Sequence, residues 1–142
     1  MAPARTELRV RYAETDQMGV VYHSNYVLYF EVGRTEFLRG SGVAYADMER
    51  EGVVLAVVDM GARFRRPARY DELLVIETRL VEATGVRVRF EYVVSRLDAA
   101  PEGGEETVLC TGFTTLACVN SEGRLSRIQS PYREILEAAV DP

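Results

Sequence analysis

Apolar and polar residues alternate in Leu8-Arg9-Val10-Arg11-Tyr12, the period-two signature of a short strand. Residues 13–23 carry no regular pattern. From Ser24 to Arg39 the period changes. Tyr26, Tyr29, Phe30, Gly33 and Phe37 stand at i, i+3, i+4, i+7 and i+11, on one face of a helix. Val27, Leu28 and Val32 make its first half apolar nearly all round, so the helix is expected to be buried on most sides. Gly40-Ser41-Gly42 ends it, and a short amphipathic piece runs from Ala44 to Glu51 and stops at Gly52.

The second half reads mainly as strand. Val53 to Val58 is a continuous apolar run, after which Met60, Ala62 and Phe64 alternate with Gly61, Arg63 and Arg65. Pro67 and Asp71-Glu72 mark a turn. Leu74, Ile76 and Leu80 alternate in a further strand, and Thr84-Gly85 turns the chain again. Val86, Val88, Phe90, Tyr92 and Val94 form the cleanest period-two run. Residues 98–106 form an exposed acidic loop, Thr107 to Val119 a long last strand, and Asn120 to Gly123 a turn. Ser130-Pro131 predicts a closing helix, with serine as N-cap and proline at the first helical position. Tyr132, Ile135, Leu136 and Ala139 give it an apolar face. No βαβ alternation appears, which argues against a doubly wound sheet. An α+β fold is expected instead: an antiparallel sheet of about five strands wrapped around one long buried helix, with residues 1–142 as one domain.

Composition narrows the chemistry. The 142 residues suffice for one hydrophobic core. A net charge of −5 argues against a nucleic-acid partner, which selects for a basic footprint. All 17 basic residues are arginine, so neither a phosphate-loop lysine nor a Schiff base is available. No apolar run is long enough to span a bilayer as a helix, and the N-terminus lacks the order of a signal peptide, so the expected location is cytoplasmic. Cys110 and Cys118 share one apolar stretch and, if it is a strand, lie roughly 26 Å apart, too far to bond. Both are expected as buried free thiols. A single histidine, His23, excludes a metal site built from several, and no motif asks for a metal or cofactor.

Nucleophiles can be tested by inventory. A serine triad would have to use His23, and no Gly-x-Ser-x-Gly elbow is present. A Cys-His pair would need an exposed thiol. What remains is a carboxylate, and the densest candidate is the stretch from Tyr12 to Tyr26. It sets Glu14 and Asp16, a glycine turn at Gly19 and the start of a helix within a few residues. A helix N-terminus offers unpaired N–H groups and a partial positive charge, which stabilise an oxyanion. A carboxylate beside it attacks a carbonyl or activates water. The same residues also suit a capped turn with Asp16 as a turn former and His23 or Ser24 as cap.

The pattern Thr15-Asp16-x-x-Gly19-Val20-Val21-Tyr22-His23-x-Asn25-Tyr26 resembles the active-site segment of the 4-hydroxybenzoyl-CoA thioesterase family, in its YbgC-type acyl-CoA thioesterase branch. The similarity continues through Phe30-Glu31 and Arg34 to Arg39, and returns at Phe64 to Leu73. It implies a hotdog fold and hydrolysis of acyl-CoA to free acid and CoA, with Asp16 as nucleophile or general base. The backbone N–H at His23 would polarise the thioester carbonyl, and the His23 imidazole would either position water or substrate or simply cap the helix. Tyr22 and Asn25 match the motif and would support substrate binding. The resemblance also implies a homodimer with active sites at the interface, paired in some members into a homotetramer.

One departure concerns CoA. The 4-hydroxybenzoyl enzyme has a basic cluster for the nucleotide phosphates at the turn matching Thr84-Gly85, which here has no charge. Arg87 and Arg89 share the outward face of their strand and are the candidates to replace it, against the plainer reading of a solvated face. Arg63 and Arg65 present the same choice. The competing functions are a hotdog dehydratase or hydratase, whose histidine pattern His23 does not resemble, and a non-catalytic acyl-CoA-binding protein of the same fold.

Overall fold

The computed structural model of the chain describes residues 3–98 and 105–141, so the acidic loop at 98–106 falls mostly outside the described residues. Five strands, β1 (Ala4–Arg9), β2 (Val54–Phe64), β3 (Leu73–Ala83), β4 (Arg87–Leu97) and β5 (Glu106–Val119), accompany three helices, α1 (Asn25–Gly40), α2 (Tyr45–Arg50) and α3 (Tyr132–Ala139). The strands form one sheet in the order β1-β3-β4-β5-β2, with every neighbouring pair antiparallel. Register shifts leave an extra residue in β2, β3 and β5, and such bulges bend a sheet.

The sheet wraps α1, as expected of the hotdog arrangement. The helix buries Tyr26, Tyr29, Phe30, Gly33 and Phe37, the face read from its period. Phe30 stacks on Tyr92 of β4 with ring centroids 4.5 Å apart, and Phe37 meets Phe90 edge-on. Gly33 lets the helix backbone approach β3. A Cβ there would lie 2.4 Å from Thr78 Oγ1 and 2.8 Å from Ile76 Cγ2. Cys110 and Cys118 are free and buried, and burial pushes the Cys110 thiol up to about 11. No helix among the described residues is long and apolar enough to cross a membrane.

Three local expectations need correction. The first strand is Ala4–Arg9 rather than Leu8 to Tyr12. Its half-buried positions are Ala4, Thr6 and Leu8, of which only Leu8 is large and apolar, so no apolar period shows and pairing with β3 defines the strand instead. Tyr12–Glu14 is a turn of 3-10 helix. Next, α1 is not covered on most sides. The sheet takes only the aromatic face, so Val27, Leu28 and Val32 stay exposed, as do Val57, Val58, Met60 and Phe64 on β2. Finally, α3 starts one residue late. Pro131, preceded by a cis peptide bond, is the N-cap, and Ser130 Oγ donates to Glu134 Oε1 at 2.6 Å instead of capping the backbone.

Candidate active site

Residues 14–22 fold back on themselves. The Tyr22 N–H donates to Glu14 O at 2.9 Å, Thr15 and Val21 pair as an antiparallel bridge, and the Asp16 N–H donates to Val20 O at 2.9 Å. The Gly19 N–H closes the tip on Asp16 O, which requires the positive φ of +79° that glycine adopts without strain. Asp16 Oδ1 accepts the Met18 N–H at 2.9 Å and, more weakly, that of Val20 at 3.4 Å. The aspartate therefore does form the turn that its residue type suggests. Its Oδ2 has no donor among the described residues.

The loop docks on the segment after β2. The Val21 N–H donates to Ala68 O at 2.8 Å, and Val20 bridges to Arg69. At the start of α1, the N–H groups of Asn25, Tyr26 and Val27 donate to Tyr22, His23 and Ser24 carbonyls. The N–H groups of His23 and Ser24 have no acceptor among the described residues, and the Ser24 side chain makes no cap. The positive end of the helix is thus left open. Asp16, Val20, Val21, His23 and Tyr26 line one groove of ≈ 350 Å³ with Phe64, Arg65, Arg66 and Pro67. Burial pushes the Tyr26 hydroxyl up to about 12, so it stays a protonated donor at neutral pH.

Asp16 and His23 therefore share a groove, and the other expected residues take different places. Tyr22 is exposed and tilts over the His23 ring at 4.3 Å. Asn25 turns back, its Nδ2 donating to Glu14 O at 2.8 Å. Arg89 lies 4.0 Å over the ring of Phe113 and 3.8 Å from Glu91. It belongs to a second groove of ≈ 710 Å³ on the far face of the sheet, with Arg63 and Arg79. Arg87 is exposed at the start of β4. Within one chain neither Arg87 nor Arg89 lines the Asp16 groove.

Arg66 and Tyr26 line the Asp16 groove as well; both fall in the stretches of family resemblance, but the sequence assigned neither a role. Likewise, the uncharged Thr84-Gly85 turn is flanked by arginines from the C-terminal segment. A Cβ at Gly85 would lie 3.6 Å from Arg127 Nη1 and 3.8 Å from Arg133 Cζ. A third cavity, of ≈ 250 Å³, lies between α1, α2 and the start of β2. Leu38, Leu55, Phe90 and Leu116 form its apolar wall and Glu31, Thr35, Tyr45 and Glu49 its polar one, with Arg34, whose Nη1 is buried without a partner.

A sequence profile described as the thioesterase-like superfamily matches residues 10–139. Over 107 residues, 75% of this chain and 80% of the relative, the chain is 34% identical to the acyl-CoA thioester hydrolase YbgC of Escherichia coli O157:H7. Among solved structures, the hypothetical protein TT1821 from Thermus thermophilus superposes with a TM-score of 0.87 at 38% identity, covering 99% of both chains. The DHNA-CoA thioesterase from Staphylococcus aureus superposes with a TM-score of 0.85 at 32% identity, over 97% of this chain and 89% of that one.

Proposed function

The chain belongs to the thioesterase-like superfamily, and from that membership we propose that it hydrolyses the thioester of an acyl-CoA to a free acid and CoA. The observation that carries this reading is the shared groove. Asp16, with one carboxylate oxygen unengaged, opens onto the same space as His23, whose backbone N–H lacks an acceptor. The thioester carbonyl accepts that N–H, which stabilises the negative charge that builds on its oxygen. Asp16 then acts by one of two routes. As a general base it takes a proton from water while the water oxygen bonds to the carbonyl carbon. As a nucleophile it forms an acyl-aspartyl anhydride that water hydrolyses. In both, the C–S bond breaks and sulfur leaves as the CoA thiolate. Arg65 and Arg66, in the same groove, supply positive charge for the CoA phosphates.

A second copy of the chain completes the acyl pocket. β2 is an edge of the sheet and exposes Val57, Val58 and Met60. Phe64 at its end packs on Tyr26 of α1 at 5.2 Å, joining this patch to α1. Two β2 strands paired antiparallel about a two-fold axis set the Phe64 end of one opposite the Val54 end of the other. The Asp16 groove of one subunit then adjoins the cavity at Leu55 of the partner subunit, whose apolar wall receives the acyl tail. The assembly is a homodimer, or two such dimers.

The deciding experiment is CoA release from short, long and aromatic acyl-CoAs. Turnover by the wild type, with loss in Asp16→Asn, supports the hydrolase. Tight acyl-CoA binding without turnover would assign a binding protein instead. Label found in Asp16 after a single turnover in ¹⁸O-water would assign the anhydride route, because it enters only when water attacks the aspartyl carbon of the anhydride.

A further inference from the structure

The loop that carries Asp16 holds a second carboxylate that the hydrolytic scheme does not use. Glu14 is only 7% exposed. Its Oε1 accepts the Arg11 backbone N–H at 2.8 Å and the Tyr29 hydroxyl at 3.0 Å, and its Oε2 accepts Arg11 Nε at 3.1 Å. Burying a carboxylate is unfavourable unless charge and hydrogen bonds offset the lost water, and here both oxygens are engaged. It has no free oxygen for chemistry, and it does not line the groove.

What it touches explains its place. Tyr29 sits in the second turn of α1, so its bond ties the loop to the helix body. Burial, and then Glu14 itself, hold the Tyr29 hydroxyl protonated far above the usual tyrosine range, so it remains the donor. The main chain of the same residue completes the clamp. Glu14 O accepts the Tyr22 N–H at 2.9 Å and Asn25 Nδ2 at 2.8 Å. Asp16 follows Glu14 by two positions, and His23 follows Tyr22. One residue thus joins the two halves of the groove.

The geometry points to Glu14 as a positioning residue: clamped by Arg11 and Tyr29, it fixes Asp16 relative to the open N–H groups of His23 and Ser24. This rests on the thioesterase reading above. Attack on a carbonyl held by those N–H groups tolerates little misplacement, so loosening the clamp lowers turnover more than substrate affinity.

The test compares wild type, Glu14→Gln and Tyr29→Phe in steady-state hydrolysis of the best acyl-CoA, with melting curves and amide NMR shifts of His23 and Ser24. Glu14→Gln keeps the shape but presents an NH₂ where a donor is already aimed. It is expected to lose about tenfold or more in kcat, with KM within about twofold and shifted His23 and Ser24 amides. Tyr29→Phe leaves the Arg11 pair intact and is expected to lose less kcat in the same pattern. If Glu14→Gln fails to fold, Tyr29→Phe alone decides by the same criterion. Wild-type kcat in the folded variants, or a lower melting temperature with unchanged kcat per folded molecule, would overturn the positioning role and leave the hydrolase standing. A wild type inactive on every acyl-CoA would overturn both.

Discussion

Asp16 Oδ1 accepts the N–H of Met18 at 2.9 Å, so the same carboxylate that opens onto the groove also builds the turn beneath it. The two roles use different oxygens, and one substitution separates them. Asparagine retains an oxygen acceptor for Met18 but removes the charge. Asp16→Asn is therefore expected to melt within a few degrees of wild type while losing at least about a hundredfold in kcat/KM, about 2.7 kcal/mol of transition-state stabilisation. Melting curves and CoA release on the same preparation check it. Full activity in the variant would reduce the aspartate to a turn former.

Gly33 reverses an ordinary rule. Glycine to alanine inside a helix normally stabilises by about 1 kcal/mol. Here the added Cβ would lie 2.4 Å from Thr78 Oγ1 and 2.8 Å from Ile76 Cγ2. Gly33→Ala is expected to destabilise by about 1–3 kcal/mol, as overpacked cores do. A lower urea midpoint at unchanged slope is the signature, and a higher midpoint would mean that the helix moves off β3 freely.

Two buried acids set an alkaline limit. Burial raises Cys110 from 9.0 to about 11 and Tyr26 from 10.0 to about 12. The folded state holds these protons more tightly than the unfolded chain. Their contribution is whole below pH 9.0 and is lost as pH rises through about 11 and 12. Urea midpoints should fall across that window, and Cys110→Ala should flatten the part between 9.0 and about 11. A midpoint that holds steady to pH 12 would contradict the burial argument.

Val58, on the bulged stretch of β2, is 57% exposed. An arginine there places charge in the middle of the proposed subunit contact. Val58→Arg is expected to sediment as a single folded chain and to lose hydrolysis, where the wild type sediments as a dimer or tetramer. An active single-chain wild type would remove the second copy from the site.

Much of this was legible in the sequence, for identifiable reasons. The α1 aromatics and the β3–β5 alternation obey the helix and strand periods because one face of each is buried. Asp16, Gly19 and His23 stood out because a carboxylate, a turn glycine and a helix start lie close together. Other features carried no such mark. β1 is held by its register with β3 rather than by apolar residues. Glu14 reads as a surface residue until Tyr29, fifteen positions on, is seen to reach it. Val27, Leu28 and Val32 announce burial that one chain does not provide. Arg65 could be named only as a choice between phosphate and solvent, and Arg66 was not singled out, because the approach of their segment to the Asp16 loop depends on the bridge between Val20 and Arg69.

The closed loop and helix start between Glu14 and Asn25 form one uninterrupted run of chain, whereas the cavity walls come from α1, α2, β2, β4 and β5. The scattered walls are set by side chains from five elements, so a single substitution there reshapes the cavity while leaving the Asp16 loop as it is.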